Sequence, residues 1–337
     1  MTSKRRQRKD EHIENYLKTE PIRGTLLDDI YIEHNSLAEL SLDEIDTSVT
    51  FLGKKISMPV MINAMTGGGE VSSDINEDLS SICASLNIPM ALGSQAIGLE
   101  EEDSVESFSL IKDKDLVRIG NLGAERSLDD FKNAAGMIDA HAMQVHLNLA
   151  QELFMPEGDR DFRGWKDNIR NLNENLEVPI IVKETGNGLS KASVKTLLEM
   201  GIKYVDIAGS GGTNFIEIED MRDFEVDYKE FYSWGVPTAK SIIDARSLSD
   251  DLFIIGSGGI KDALDMAKAL IIGADMTAIS GEALRYLTLG GYDACYDYLL
   301  ELRERLVKVM ALLGVKSIKE LKKIDYKVTG RLKELLD

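Results

Sequence analysis

One short stretch, His146-Leu147-Asn148-Leu149-Ala150-Gln151-Glu152, gathers an imidazole, two amides and a carboxylate behind the apolar run Ala142-Met143-Gln144-Val145. If that run is a β-strand, alternation sends His146 and Asn148 to one face, and Gln151 and Glu152 fall in the turn beyond its end. Donors of this kind converging on a strand mouth suit phosphate oxygens, and the carboxylate suits a cation that shares those oxygens. A bland reading competes: a polar turn after a strand, with the imidazole satisfied by a backbone group. What surrounds the stretch decides between them.

Lys183 ends a second apolar run, Ile180-Ile181-Val182, so its ammonium points into the same kind of mouth and needs compensation there. A structural pair with Glu184 or Asp206 would supply it. So would a flavin ring, whose reduced form is anionic, with Thr66, Ser94, Asn121 and Thr213 at other strand ends to satisfy the ring's donors and acceptors. Gly256-Ser257-Gly258-Gly259 and Ser280-Gly281 each precede a helical pattern; in barrels such a pair of loops holds a phosphate on backbone N–H groups. Glu152 alone would hold Mg²⁺ weakly and makes sense as a ligand chiefly where a bound diphosphate shares the ion. That links it to Arg8, Lys9, His146 and Asn148. Lys4, Arg5, Arg6, Arg8 and Lys9 crowd the start of an otherwise acidic chain. The cluster reads either as a solvated terminus or as an arm folded over an anionic ligand; the helical spacing of Ile13, Tyr16 and Leu17 tethers it to a structured element.

These residues act together only if their strands end at one mouth. Eight short apolar segments recur, most of them separated by a helix-length amphipathic stretch: Val60–Asn63, Met90–Gly93, Val117–Gly120, Met143–His146, Ile180–Lys183, Val205–Ala208, Phe253–Gly256 and Thr277–Ser280. Such runs predict parallel strands covered on both faces. Eight strand–helix repeats predict a (β/α)₈ TIM barrel rather than an open doubly wound sheet. Nearly every run ends in small or polar residues, so the chemistry collects on the carboxyl side of the strands. Residues 1–57 read as an N-terminal extension carrying the basic arm, 58–313 as the barrel, and 314–337 as a helical tail. Residues 214–235 interrupt the sixth unit as an inserted lid. Within it, Trp234 serves either as a ring stacked on ligand or as the anchor that pins the lid. Tyr292–Leu313 reads as an amphipathic closing helix.

The 337 residues, 43% hydrophobic and 29% charged, are enough to bury a large core. Lys plus Arg number 39 against 58 Asp plus Glu, a net charge of −19, which argues against nucleic acid or anionic membrane as partners. No apolar run is long enough to span a bilayer; Ala267–Ile279 is broken by Lys268 and Asp275. The basic start lacks the hydrophobic segment of a secretory signal. Cys83 and Cys295 have no metal spacing, and the expected compartment is the cytoplasm, with both thiols reduced.

Taken in order, Arg8-Lys9-Asp10-Glu11-His12, Ile62-Asn63-Ala64-Met65-Thr66-Gly67-Gly68, Gly93-Ser94-Gln95, the run from His146 to Arg160, Val182-Lys183-Glu184, Gly211–Phe215 and Ser257-Gly258-Gly259 resemble the type 2 isopentenyl-diphosphate isomerases. These are the flavin-dependent form of that enzyme, and the resemblance runs from residue 8 to near the C-terminus. It implies bound FMN, Mg²⁺, NADPH as flavin reductant, and reversible conversion of isopentenyl diphosphate into dimethylallyl diphosphate by a homo-oligomer, tetramer or octamer. It places FMN on Ala64, Met65, Thr66, Ser94, Asn121, Lys183 and Thr213, and its phosphate on Gly258, Gly259, Ser280 and Gly281. Substrate diphosphate falls to Arg8, Lys9, His146, Asn148 and Gln151, the metal to Glu152, and catalytic roles to Gln151, His146 and Lys183. Lys55 is a further candidate, although beside Lys54 it also reads as a solvated turn. One departure stands out: many members carry Arg where this chain has Ala96.

Such an isomerisation takes a proton from C2 and adds one at C4 of an unactivated alkene, so it passes through tertiary cation character and needs a dry, electron-rich pocket. Reduced flavin answers that need as proton donor and anionic stabiliser, with Lys183 supporting its charge. An FMN-dependent 2-hydroxyacid oxidase is the main rival, but it needs a histidine base beside an arginine, and Gly209–Phe215 holds neither. A dehydrogenase resembling that of inosine monophosphate would need a nucleophilic loop cysteine, and Cys83 and Cys295 sit in helical patterns. A barrel that binds without turnover would have little use for the set His146, Asn148, Gln151 and Glu152.

Overall fold

Strands form where β-branched and other apolar side chains run without interruption, and in this chain each such run is closed by glycine or a polar residue that starts a turn. The computed structural model describes residues 4–19, 24–222 and 227–337, and among these not the side chains of residues 4–8, 10 and 70. Helix α1 (Lys4–Lys18) leads, followed by β1 (Ile30–Ile32), β2 (Val49–Phe51) and β3 (Lys54–Ile56). The barrel begins with β4 (Val60–Ile62), α2 (Glu70–Leu86), β5 (Met90–Ala91), α3 (Ala96–Glu100) and α4 (Glu106–Ser109). It continues through β6 (Arg118–Gly123), α5 (Leu128–Ile138), β7 (Ala142–Leu147), α6 (Leu149–Phe154), α7 (Trp165–Asn175), β8 (Ile180–Glu184) and α8 (Lys191–Glu199). Then come β9 (Tyr204–Asp206), α9 (Phe215–Asp220), α10 (Thr238–Arg246), β10 (Phe253–Gly256), α11 (Ala263–Ile271), β11 (Met276–Ile279) and α12 (Gly281–Leu313). The tail holds α13 (Ile318–Leu321), β12 (Tyr326–Val328) and α14 (Gly330–Leu336).

Strands β4 to β11 pair in parallel sequence order, and β11 returns to β4 through Ala278 opposite Met61, closing an eight-stranded barrel. The expected (β/α)₈ architecture is present. The third run extends further than its apolar residues suggest: β6 continues to Gly123, so Asn121 lies within the strand, opposite Gln144 of β7. Backbone pairing with β7 holds these polar residues in place, which hydrophobic periodicity alone does not register.

The barrel interior is layered. Met61, Ala91, Ile119, Ala142, Ile181, Ile255, Met276 and Ala278 form a dry lower core, and the β2–β3 hairpin plugs its amino-terminal end with Phe51 and Ile56. The Phe51 ring lies 5.2 Å from that of Phe253 and 6.5 Å from that of Tyr204, both at the starts of strands. Lys55 belongs to this hairpin, exposed and 3.7 Å from Asp46. It therefore sits at the end opposite the site and has no diphosphate to meet there.

The tail is only partly helical. β12 pairs antiparallel with β1, so the N-terminal extension and the tail form one strap across the barrel's outside. Asp29 ties the strap: its Oδ2 accepts the Leu332 N–H at 2.9 Å, and its carbonyl accepts both the N–H and the hydroxyl of Thr329. The closing helix starts earlier than its amphipathic pattern, at Gly281, and breaks at Gly291 (φ 77°), just before the expected Tyr292. None of the described helices is long and apolar enough to cross a membrane.

Because Asp29 caps α14, Asp29→Ala should cost about 1 kcal/mol, as other lost caps do. In differential scanning calorimetry that is a fall of roughly 1–2 °C in the unfolding temperature of a chain this long; an unchanged midpoint would show that the strap adds nothing.

Candidate active site

A cavity of about 940 Å³ opens at the carboxyl ends of the barrel strands. It lies at the upper end of the usual range for ligand sites, about 300–1,000 Å³, and has room for more than one small molecule. Besides Lys55 at the opposite end, its wall includes every residue expected at the site except two. Thr66 is buried behind the wall, its hydroxyl 2.6 Å from that of Ser72 on α2. The Arg8 side chain lies outside the described residues. Lys9 does reach the mouth from α1: its ammonium donates to the carbonyls of Gly67 and Ser94 and lies 5.2 Å from the centre of the Phe108 ring.

The floor of the cavity is a polar layer above the apolar core. Lys183 is 6% exposed and donates to the Glu184 carbonyl at 2.6 Å. Neither carboxylate that could have paired with it does so. Glu184 turns away, and its Oε2 accepts the backbone N–H groups of Thr185, Gly186, Asn187 and Gly188. Asp206, opposite Lys183 in the sheet, accepts from Asn63 at 2.6 Å and from the Ser257 hydroxyl. A buried ammonium with no carboxylate in ion-pair range among the described residues is costly by itself, so the floor is suited to an anionic or electron-rich ligand. His146 is half-buried beside it; desolvation first, and then Lys183, Arg126 and Lys9, push its pKa down to about 3.

The loops after β10 and β11 form the opposite wall. Gly258 and Gly259 have φ of 95° and 85°, and a Cβ on either would lie 2.2 Å from a carbonyl oxygen of the loop after β9, so two backbones stack where side chains cannot fit. Gly281 begins α12, and a Cβ there would meet the Tyr16 hydroxyl at 1.8 Å; the missing side chain lets α1 seat against this wall. One turn into α12, Arg285 lines the cavity with its Nε buried and without a hydrogen-bond partner among the described residues. Side-chain-free backbone, a long helix's N-terminus and an unsatisfied guanidinium atom fit the phosphate of FMN.

The His146–Glu152 stretch departs from its expected layout: His146 lies in β7, but the strand ends at Leu147, Asn148 caps α6, and Gln151 and Glu152 lie in that helix rather than in a turn. Glu152 accepts from Asn148 Nδ2 at 2.6 Å and from the Asp159 N–H at 2.8 Å. No group of three or more His, Cys, Asp or Glu among the described residues is placed to hold a metal. Glu152 therefore fits Mg²⁺ only as one ligand beside oxygens that a substrate would bring. Gln151 donates to Glu219 at 2.9 Å, and this carboxylate gathers much else. His12 of α1 lies 2.9 Å away, and Arg222 reaches Glu219, Glu11 and Glu157 at once. Burial alone would raise the Glu219 carboxyl, but these partners hold it down to about 2.

The insertion after β9 packs over α6, with Phe154 4.9 Å from Tyr228 and 5.0 Å from Phe231. Trp234 is 66% exposed and its indole does not line the cavity, which removes the ligand-stacking alternative. Glu219 and Arg285 escaped the sequence reading because helical polar residues give no sign of which way they face, and Arg126 and Arg222 because they lie in turns whose course no periodicity predicts. Gln144 and Asp206 did leave a signal, as single polar residues inside otherwise apolar strand runs.

A fold of this kind, with a cation at its floor and a phosphate cradle on its wall, defines an FMN-binding barrel. A family model described as FMN-dependent dehydrogenase matches residues 121–327. Solved structures of flavocytochrome b2 and mandelate oxidase variants superpose with TM-scores of 0.72 and 0.66, at 19% and 14% identity. The first match covers 96% of this chain and 84% of the other, the second 95% and 92%; at that identity they establish the fold alone. Isopentenyl-diphosphate delta-isomerase of Bacillus licheniformis is 39% identical over 97% of this chain and 94% of its own length. That of Moorella thermoacetica is 37% identical over 99% and 96%. The chain belongs to the isopentenyl-diphosphate delta-isomerase family, in its type 2, FMN-dependent form.

A free imidazole takes up a proton below about pH 6.5, whereas folded His146 does so only near 3. Its contribution to stability is therefore fully present above about pH 6.5 and is lost as pH falls from there toward 3. In an NMR titration its ring signals should stay fixed from pH 8 to 5; a midpoint near 6.5 would contradict the desolvated, cation-flanked setting.

Proposed function

We propose that this isomerase interconverts isopentenyl diphosphate and dimethylallyl diphosphate, a step of isoprenoid biosynthesis, with FMN in its reduced state and one Mg²⁺. The observation that carries the reading is Lys183: a buried ammonium, facing the cavity, whose neighbouring carboxylates are engaged elsewhere. Reduced flavin, when bound, supplies a proton donor and an anionic ring that stabilises developing positive charge on the prenyl chain. Lys183 holds that negative charge. Ala64, Met65, Ser94, Asn121 and Thr213 border the ring's space, and Gly258, Gly259, Ser280, Gly281 and Arg285 border that of its phosphate.

The substrate's diphosphate goes to the other side of the mouth, with Arg8 and Lys9 from α1 and with Asn148 and Gln151, while His146 borders the same space. Asn148 and Gln151 each spend one N–H on a carboxylate and keep a second for an anion. Glu152 takes the metal together with diphosphate oxygens. Arg126 adds a cation to the same wall, where Ala96 leaves the position that is Arg in many relatives. Gln151, which lines the cavity, orients the departing C2 proton. The basic arm on an acidic protein concentrates anions at the mouth. NADPH serves to reduce the flavin and is not consumed at each turnover, and the family resemblance supports a cytoplasmic homo-oligomer.

The test is an anaerobic assay with isopentenyl diphosphate and Mg²⁺. FMN-loaded protein reduced by dithionite or NADPH should convert substrate, while fully oxidised protein should not; stripping Mg²⁺ with EDTA should abolish turnover reversibly. Equal rates in the oxidised and reduced states would refute the flavin's role.

A further inference from the structure

Beneath the cavity, five side chains from four strands or strand ends form an unbroken line of hydrogen bonds. It runs from Asp206 through Asn63, Gln144 and Asn121 to His146, and all but His146 are buried polar residues of the barrel interior. Asn63 Nδ2 donates to Asp206 Oδ2 at 2.6 Å, and Gln144 Nε2 donates to Asn63 Oδ1 at 2.8 Å. Asn121 Nδ2 donates to Gln144 Oε1 at 2.8 Å, and Asn121 Oδ1 lies 2.7 Å from His146 Nδ1. Three consecutive amides with both ends engaged are not needed to fill a barrel; apolar side chains fill the layer below without them.

We infer that Asp206, Asn63 and Gln144 are positioning residues for His146, setting through Asn121 the tautomer with the proton on Nδ1 and the lone pair of Nε2 turned to the cavity. The direction follows from chemistry at the Asp206 end. A carboxylate only accepts, and its other oxygen already takes the Ser257 hydroxyl, whose oxygen in turn accepts the Ala208 N–H. Asn63 must therefore present its NH₂ to Asp206, which turns its carbonyl to Gln144. That carbonyl also accepts the Ala64 N–H at 2.9 Å, which holds the amide against flipping. Gln144 must then present NH₂ to Asn63 and carbonyl to Asn121, and Asn121 must present NH₂ to Gln144 and carbonyl to His146. Only a protonated Nδ1 completes the line. Reversing any one amide would set donor against donor or acceptor against acceptor at two junctions in a dry interior, where each mismatch is expensive.

The consequence deepens the proposed function and rests on it. A neutral His146 in this tautomer offers the cavity an acceptor, not an N–H. It takes a hydrogen bond from a ligand N–H or O–H or from a bound water, and it meets a phosphate oxygen only through such a donor. The cations around it, Lys183 on β8, Arg126 after β6 and Lys9 on α1, favour that neutral state. His146 thus orients substrate or cofactor by accepting, while the lysines and arginines carry the anion.

The experiment is ¹⁵N NMR of FMN-loaded protein labelled at histidine, of which there are four, with His146 assigned by its loss in His146→Gln. Couplings from the ring nitrogens to the ring protons distinguish Nδ1–H from Nε2–H. Wild-type protein should show the Nδ1–H form. Asp206→Asn, which keeps the shape but frees the line to reverse, and Gln144→Met, which cuts it, should each yield a substantial Nε2–H population. Each should also lower kcat/KM for isopentenyl diphosphate about 10-fold or more, the usual effect of losing a partner behind a site residue, with an unchanged circular dichroism spectrum. A wild-type Nε2–H tautomer, or variants that keep Nδ1–H unmixed, overturns the inference, and if neither variant folds the wild-type spectrum alone decides. An Nδ1–H spectrum from a protein without isomerase activity would leave the amide line standing and remove the proposed function instead.

Discussion

An ammonium group drawn out of water must be compensated, and in a barrel floor the usual compensation is a carboxylate on a neighbouring strand. Here the two available carboxylates are committed: Glu184 to four backbone N–H groups of its own turn, and Asp206 to Asn63 and Ser257. Lys183 keeps one backbone carbonyl and the open cavity. On the proposed function, an anionic ligand supplies the rest. The surroundings agree with that uncompensated charge: the neighbouring imidazole is kept neutral, the wall opposite is stripped of side chains where a phosphate fits, and the lower core is apolar.

The second constraint is closure. The chain carries a net charge of −19, yet its first helix is basic and lies against the mouth. What keeps it there is Glu219, a carboxylate buried on the inserted segment and approached by His12 of α1, Gln151 of α6 and Arg222. Arg222 adds Glu11 and Glu157, so three separate pieces of chain meet at one ion cluster. The same carboxylate that seats α1 also fixes Gln151, and this couples the arm's position to a residue of the proposed chemistry. Tyr16 against Gly281 makes a second point of contact, at the phosphate wall.

The barrel was legible in the sequence because eight apolar runs each end in glycine or a polar residue, and that pattern is the physical signature of parallel strands under helices. His146, Lys183 and the glycines of the last two loops were legible as polar or small residues at strand ends, and Asn148, Gln151 and Glu152 as a polar group just past one; all of them line the cavity. Long-range partners were not. Nothing in the spacing of Glu219 says that it meets His12 and Gln151, and nothing in Thr66 says that it turns to Ser72 rather than to the cavity. Lys55, and Trp234 as a ligand-stacking ring, misled because residue type suggested a role that their position in the hairpin and outside the cavity does not allow. Gln144 and Asp206, single polar residues inside apolar strands, were visible as anomalies, but their joining through Asn63 and Asn121 needed the closed barrel.

The reduction potential of bound FMN, compared between wild-type protein and Lys183→Met, tests the central claim most directly. If the buried ammonium is held for an anionic reduced ring, its removal should weaken binding of reduced FMN relative to oxidised FMN by tenfold or more, lowering the two-electron potential by at least about 30 mV. An equal or higher potential in the variant, with FMN still bound, would mean that Lys183 does not support the flavin's charge and that its burial has another cause.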